Sequence, residues 1–496
     1  MTKLHLLAAP LVAMMTPVLS QPAQAGEADR MLTADQISSD VALARESYER
    51  IHPGYDRHTD RAQLDAAWDS LVARAKATHG MTVGEFYIEL QKVLTLIRCD
   101  HTKVELPAAL RKERNAVPVY LPFRWTLIED RAIVTIPGTS GLQRGDELLE
   151  IDGRPIAEMI AEVRPLIPVD GFTGWSNRGG VSESLEFAGG AVDHFGALLW
   201  DIQPRTGVKI ARPDGSGHEL AMDRTTLDQW SAIPEQAGQS LGRNFPDTVT
   251  YERLNDRVSY LRVDSFVNYR NPVKPGTIYD PIFDSMAAEE RDVLILDLRN
   301  NGGGSTDAKN GLVTRLFDEK LMAMDDAYMV TLDHKGLEEH LWTWDKRAIN
   351  PNPLGFRKNA NGTYSLRPMF EDNLKTIAPK ENVFKGKLIV LTSDENSSGS
   401  THLLGLFQRK DRALLVGEKT GGSPDGATAG LLFFLTLPES GIRARVPTIR
   451  YSADMGQDYV PGTGVTPDVL VERSVADFRA GRDPALEQAR ALAGVR

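Results

Sequence analysis

The chain has 496 residues, 41% hydrophobic and 25% charged, the composition of a folded protein large enough for several cores; disorder and collagen-like repeats are excluded. Its 57 Lys and Arg against 68 Asp and Glu give a formal net charge of −11 with no basic run, which argues against a nucleic-acid or anionic-membrane surface. A single cysteine rules out an intrachain disulfide and any Cys-rich zinc module.

At the N-terminus, Lys3 precedes an apolar stretch that is broken by Pro10 and Pro17 and ends in the small-x-small run Ala23-Gln24-Ala25. Residues 1–25 therefore read as a secretory signal peptide cleaved after Ala25. No later segment is long and apolar enough to span a bilayer, so the expectation is a periplasmic or secreted protein with no integral membrane segment after cleavage. Residues 26–115 read as a helical N-terminal domain. Leu64, Ala67, Trp68 and Leu71, then Phe86, Leu90, Val93, Leu94 and Ile97, recur at helical spacing, and Thr82 is the predicted N-cap before Glu85.

Residues 116–240 have the texture of strands and turns. A Gly141-Leu142 opening, a Gly145-Asp146 turn, the apolar run Leu148-Leu149-Glu150-Ile151 and the hairpin turn Asp152-Gly153 surround one buried strand. This piece resembles a PDZ domain, a module that adds a peptide as an extra strand and often captures its terminal carboxylate. Residues 241–475 alternate buried strands with helices. Val293 to Leu298, Leu388 to Leu391 and Leu414 to Val416 are near-continuous apolar runs, as strands covered on both faces require. Val258 to Leu261 alternates and reads as an edge or half-exposed strand. A hairpin is predicted around Glu439-Ser440-Gly441, and a final helix over 483–492 in the C-terminal segment 476–496. The chain is thus expected to be a multi-domain protein of mixed α/β class.

Two loops of the 241–475 region carry residues suited to chemistry. In Asp297-Leu298-Arg299-Asn300-Asn301-Gly302-Gly303-Gly304-Ser305, consecutive glycines leave backbone N–H groups free to meet an anion. The absence of a following Gly-Lys-Ser/Thr disfavours a phosphate site and leaves an oxyanion hole as a use. In the run Thr392 to His402, the serines stand between a buried strand and an apolar helix through Leu403, Leu404, Leu406 and Phe407. A serine there stands at the positive end of a helix, where the next N–H can stabilise an oxyanion; Ser and Thr are also common N-caps at such turns.

The two loops, in this order, resemble the tail-specific or C-terminal-processing serine peptidases, a family that also includes the tricorn protease core and retinoid-binding repeats. Leu296-Asp297-Leu298-Arg299-Asn300-Asn301-Gly302-Gly303-Gly304 matches the family's Leu-Asp-Leu-Arg-Asn-Asn-Pro-Gly-Gly, with Gly302 in place of proline. Ser398-Gly399-Ser400 falls where the family reads Ser-Ala-Ser. Val416-Gly417-Glu418-Lys419-Thr420, Gly464-Val465-Thr466-Pro467-Asp468 and Gly481-Arg482-Asp483-Pro484-Ala485-Leu486-Glu487 match three further signatures. The resemblance implies an α/β peptidase core of the ClpP/crotonase type, Ser398 as nucleophile, and an oxyanion hole from the N–H groups of Gly399 and of Gly303 or Gly304.

The resemblance also exposes departures. Members that use a Ser-Lys dyad place the lysine 25 positions after the nucleophile, and here that residue is Ser423. Lys419, nearby, reads as a surface residue. In the tricorn-like branch the base is a histidine, and Asp100-His101-Thr102 resembles its Asp-Gly-His-Thr signature, with Cys99-Asp100 in place of Asp-Gly. That implies His101 as general base, a role suited to an imidazole whose unperturbed pKa is near 6.5. The glutamate that takes part shortly before Gly-Val-x-Pro-Asp has no counterpart, because Pro461 stands there. Asp458 and Asp100 are the two candidates to orient His101.

The expected function is a secreted serine peptidase acting on a protein or peptide substrate, with no cofactor. An inactive peptide- or ligand-binding protein on the same fold, and a Ser-His hydrolase of esters or small amides, are the alternatives. His334 and His340 are expected on a solvated face, since no zinc pattern accompanies them. His402, one turn beyond Ser398, is expected beside the site. Cys99 reads as a small buried hydrophobe; if it is reachable, a bulky thiol reagent should inhibit by displacing His101.

Overall fold

The computed structural model describes residues 26–184, 187–237 and 244–495; the leader predicted over residues 1–25 lies outside the described residues. Three helices open the described chain, α1 (Ala34–Ile51), α2 (Arg61–Ala77) and α3 (Val83–Thr95). Thr82 caps α3 as the sequence predicts. Its Oγ1 accepts from the Glu85 N–H at 3.1 Å, and a Glu85 carboxylate oxygen accepts from the Thr82 N–H at 2.8 Å. α3 is buried on more than one face because Trp68 and Phe86, Trp125 and Ile151 of the following region, and Phe433 and Val446 from the far end of the chain share one continuous core. The N-terminal helices therefore do not pack as a separate unit.

The PDZ-like sheet is antiparallel. It contains β1 (Arg124–Ile128), β2 (Arg131–Ile136), β3 (Glu147–Ile151), β4 (Arg205–Ala211) and β5 (Gly217–Asp223), side by side in that order. The Asp152-Gly153 turn closes with φ of 51° and 77°, the positive pair a two-residue hairpin requires. β1 pairs only with β2 among the described strands, so its other edge has no strand partner.

The central sheet is built from β6 (Val249–Arg253), β7 (Val258–Val263), β8 (Val293–Asp297), β9 (Lys387–Thr392), β10 (Leu414–Gly417) and, after a hairpin of β11 (Thr428–Thr436) and β12 (Arg443–Ser452), β13 (Val469–Leu470). The order is β6-β7-β8-β9-β10-β13, parallel throughout except for β6. Of the two readings of Val258 to Leu261, the half-exposed strand holds and the edge strand does not. β6 takes the edge, and β7 has a partner on each side while remaining partly exposed at Tyr260 and Arg262.

Both faces of this sheet are covered, which explains the uninterrupted apolar runs. Leu294, Leu296 and Val390 pack with Leu312 of α4 (Thr306–Leu316) and Leu404 and Phe407 of α5 (Ser398–Arg409). Ile295, Ile389 and Leu391 face Ala485 and Ala489 of the last helix, α6 (Pro484–Leu492), whose N-cap is Asp483. Among the described residues no helix is long and apolar enough to cross a membrane.

Candidate active site

Adjacent parallel strands bring the two predicted loops together. Asp297 at the end of β8 lies opposite Leu391 near the end of β9, so the glycine loop and the serine loop leave the same sheet edge. Asn396 ties them. Fully buried, it donates from Nδ2 to the carbonyls of Leu298 (2.6 Å) and Asn301 (3.2 Å) and to Ser400 Oγ (3.0 Å), and its carbonyl accepts from the Gly422 N–H at 2.8 Å.

Nothing in the polar run around Asn396 singles it out in the sequence, since its partners lie on another strand's loop. Asn396→Ala is expected to leave the buried Asn301 carbonyl without a donor and the Leu298 carbonyl with the Asn301 N–H alone. It should lower stability by about 1–3 kcal/mol in urea unfolding.

Ser398 opens α5 with φ of 48°, the left-handed region. For a residue with a side chain this costs roughly 1–2 kcal/mol, a strain that collects at functional turns and is typical of a strand-to-helix nucleophile elbow. Its neighbour Ser397 occupies the N-cap position yet makes no side-chain capping bond; its Oγ donates instead to Asp100 Oδ2 at 2.7 Å. The serines at this turn are therefore not engaged in the capping that their residue type alone allows.

The glycine loop lies directly against this turn. A Cβ added to Gly303 would sit 2.8 Å from the Gly399 nitrogen and 2.9 Å from Ser398 Cβ, and one added to Gly304 would collide with the backbone of Phe266 and Val267 at 2.3–2.4 Å. Both glycines have positive φ, 101° and 137°. The two N–H groups differ, however. That of Gly303 donates to Asn301 Oδ1 at 2.9 Å, whereas the N–H groups of Gly304 and Gly399 make no hydrogen bond among the described residues. The Gly304 nitrogen lies 3.6 Å from a Cβ built on Gly399, so these two free donors are neighbours beside Ser398.

His101 comes from the turn between α3 and the short strand Val104–Glu105, which pairs with Ala444 and Arg443 of β12. The turn is held by the Thr102 N–H donating to the Cys99 carbonyl at 3.0 Å and by a 3.0 Å bond between Thr102 Oγ1 and His52 Nε2. His101 Nδ1 lies 2.5 Å from Asp100 Oδ1, a contact in which the attraction of opposite charges outweighs hydrogen bonding.

Burial alone disfavours the imidazolium, but the Asp100 carboxylate outweighs it and holds the His101 pKa well above the ordinary value. Asp100 is the mirror case. Burial pushes it up, and the His101 charge, the His101 and Ser397 side chains and Lys103 together hold it below the usual carboxylate range. The His101 side chain keeps 22% of its surface open. No direct hydrogen bond joins His101 to Ser398; the link runs from His101 to Asp100 to Ser397.

Other predicted positions lie apart. Asp458 is exposed and makes no contact with His101. The loop turns Tyr459 inward instead, half-buried, its hydroxyl donating to the Thr463 carbonyl at 2.7 Å, while its neighbour Asp458 faces solvent. Lys419 is exposed, with its Nζ 5.6 Å from the centre of the Trp175 ring. His402 is buried and accepts the Ala427 N–H on Nε2 at 3.0 Å; burial and the Lys309 and Arg450 charges hold its pKa well below the ordinary value, so it stays neutral. The solvated face expected for His334 is corrected. Its ring is buried edge-on against Phe433 and bonds the Ile349 carbonyl through Nδ1 at 2.8 Å, while His340 remains partly exposed.

Cys99 is 4% exposed, its Sγ 3.6 Å from the Thr428 carbonyl oxygen. The Cys99, Asp100 and His101 donor atoms lie within 4.8 Å of one another, and the 2.5 Å approach of Asp100 and His101 reads as an acid–base pair with a thiol beside it. A bulky maleimide is therefore expected to leave the native chain fully active and to label it stoichiometrically only after unfolding, as mass spectrometry would show.

A cavity of about 320 Å³ opens between the PDZ-like sheet and the serine loop, with Thr126, Ile136, Arg144, Glu183 and Glu395 in its wall.

Residues 257–471 match peptidase family S41, and residues 118–237 match the PDZ domain. Among solved structures, the chain is similar to mature CPAF at 17% identity over 92% of this chain and 96% of that one, with a TM-score of 0.63. It is similar to mature CPAF complexed with lactacystin at 17% identity over 92% and 97%, with a TM-score of 0.59. The photosystem II D1 C-terminal processing protease gives 17% identity over 88% and 93% and a TM-score of 0.40. At these identities the likeness to CPAF shows the fold.

Proposed function

The chain belongs to peptidase family S41, with a PDZ domain ahead of its peptidase domain, and from that premise we propose that it is an active serine peptidase with Ser398 as nucleophile and His101 as general base. Ser398 Oγ attacks the scissile carbonyl while its proton passes to His101 Nε2, the ring nitrogen turned away from Asp100. The oxyanion that forms is met by the N–H groups of Gly399 and Gly304. His101 then gives the proton to the leaving amine, and water attacks the acyl-enzyme by the same route in reverse. Asp100, against Nδ1, fixes the ring's orientation and stabilises the imidazolium.

One observation carries this reading: Ser398 sits in the left-handed region with two unpaired N–H groups beside it. The unpaired edge of β1, with Thr126 in the wall of the cavity, suits a peptide that joins the sheet as a further strand before entering the site. The leader implies export, and the mature chain recovered from the periplasm or medium should begin at Gly26.

Purified mature chain should hydrolyse an unfolded protein, and His101→Ala should remove nearly all of that activity. Turnover of small esters without any peptide cleavage would replace the peptidase reading by that of an esterase, and no turnover of either by that of a binding protein.

A further inference from the structure

The acid that the family resemblance calls for before Gly464 is missing, and a carboxylate from another part of the chain lies on a strap packed against that loop. Asp170 follows the short helix Ile156–Val163 of the PDZ region, in a strap that joins three loops around the site. The Gly171 N–H donates to the Arg98 carbonyl at 2.9 Å, three residues before His101. The Phe172 N–H donates to the Gly462 carbonyl at 2.7 Å, and Trp175 Nε1 donates to the Thr420 carbonyl at 3.0 Å. Gly171 packs so tightly on Gly462 that an added Cβ would lie 2.4 Å from its carbonyl oxygen. Gly462 directly follows Pro461, the position of the missing acid.

Asp170 itself is 6% exposed. Its Oδ2 accepts the Ser423 N–H at 2.9 Å, and its carbonyl accepts from Thr173 Oγ1 at 2.8 Å. Ser423 is the residue at the position where Ser-Lys members carry their base. The strap thus brings a buried carboxylate to the junction of the His101 turn, the Ser423 loop and the Pro461 loop.

We infer that Asp170 is a positioning residue of the catalytic site, supplying from the PDZ-side strap the second carboxylate that stabilises His101 as an imidazolium. The inference rests on the reading of His101 as the base. Charge supports it: burial and the Asp100 carboxylate push the Asp170 pKa up to about 7, against the Ser423 N–H, Arg450 and His101. The groups coupled by charge to the imidazole are Asp100 and Cys99 on its own turn, His52 after α1, His402 on α5 and Asp170 on the strap; Lys103 acts on Asp100, and Arg450 on Asp170, His52 and His402. Asp170 is the carboxylate in this set that comes from outside the His101 turn.

Asp170→Asn in the full mature chain tests this, because an amide oxygen keeps the bond to the Ser423 N–H and loses only the charge. Expected are a fall in kcat of about 10- to 100-fold with KM within about twofold, and an acid limb of the pH profile moved down by about half a unit to one unit. The thermal midpoint at pH 8 should be unchanged or higher. A buried acid whose folded pKa is raised destabilises the fold once ionised, and the amide removes that penalty. Asp458→Asn is measured beside it.

Wild-type kcat and an unmoved limb in Asp170→Asn would overturn the inference, as would a kcat loss accompanied only by a lowered midpoint, or a limb moved by Asp458→Asn instead. The His101 titration midpoint, read by NMR on histidine-labelled Ser398→Ala and Ser398→Ala/Asp170→Asn chains, needs no turnover. An inactive wild type would sink the peptidase reading alone, while an unchanged midpoint between these two chains would sink the role of Asp170.

Discussion

Ser398→Ala is expected to lower peptide hydrolysis by on the order of 10⁵- to 10⁶-fold, leaving the residual rate that oxyanion donors and binding give without a nucleophile. The fold should survive, since the Ser398 hydroxyl is not needed to cap α5 and the loops around it are held by Asn396 and Asn301. The same position carries a second expectation. Ser398 has φ of 48°, where a Cβ is strained and glycine is not. Ser398→Gly should therefore be more stable than Ser398→Ala by about 1 kcal/mol in urea unfolding, although both are inactive. A helix start with ordinary backbone would reverse that order, because glycine is the poorer helix former.

His101→Ala is the second large effect, a loss of about 10⁴-fold or more in kcat, since the base and the orientation it imposes vanish together. Its pH signature follows from the charge that faces it. His101 accepts the Ser398 proton only when neutral, and Asp100 holds its pKa well above the ordinary histidine value. In wild type kcat/KM should therefore rise about tenfold per pH unit through neutrality and level off only above the range of a free imidazole. Asp100→Asn removes the facing charge, so the pKa of His101 falls and the acid limb moves to lower pH. Its plateau also drops, because Nδ1 loses the group that fixes the ring. A limb that stays in place in Asp100→Asn would mean that the 2.5 Å contact does not govern the base.

What the sequence made legible was local. Thr82 and Glu85 announce the start of α3 because a capping box needs only residues three apart. The serine and glycine loops announce themselves because each follows an apolar strand, and neighbouring parallel strands then bring them together. What stayed hidden depends on contacts between distant segments. Asn396 is one Asn in a polar run until the carbonyls of Leu298 and Asn301 arrive beside it. Asp458 looks as suitable as any acid near Gly464, yet it is Tyr459 that turns inward, bonded to the Thr463 carbonyl, and Asp458 is left exposed. His334 sits among charged residues and is buried by Phe433 from the hairpin, a partner the local pattern does not reveal. Between Gly303 and Gly304 composition offers no choice; it is the Asn301 side chain, taking one N–H, that makes them different.

Covalent labelling by a fluorophosphonate, with the modified residue located by mass spectrometry, tests the central claim most directly. A single adduct on Ser398 is expected, absent in Ser398→Ala and formed far more slowly in His101→Ala. No adduct on Ser398, or labelling that proceeds equally fast without His101, would contradict the account.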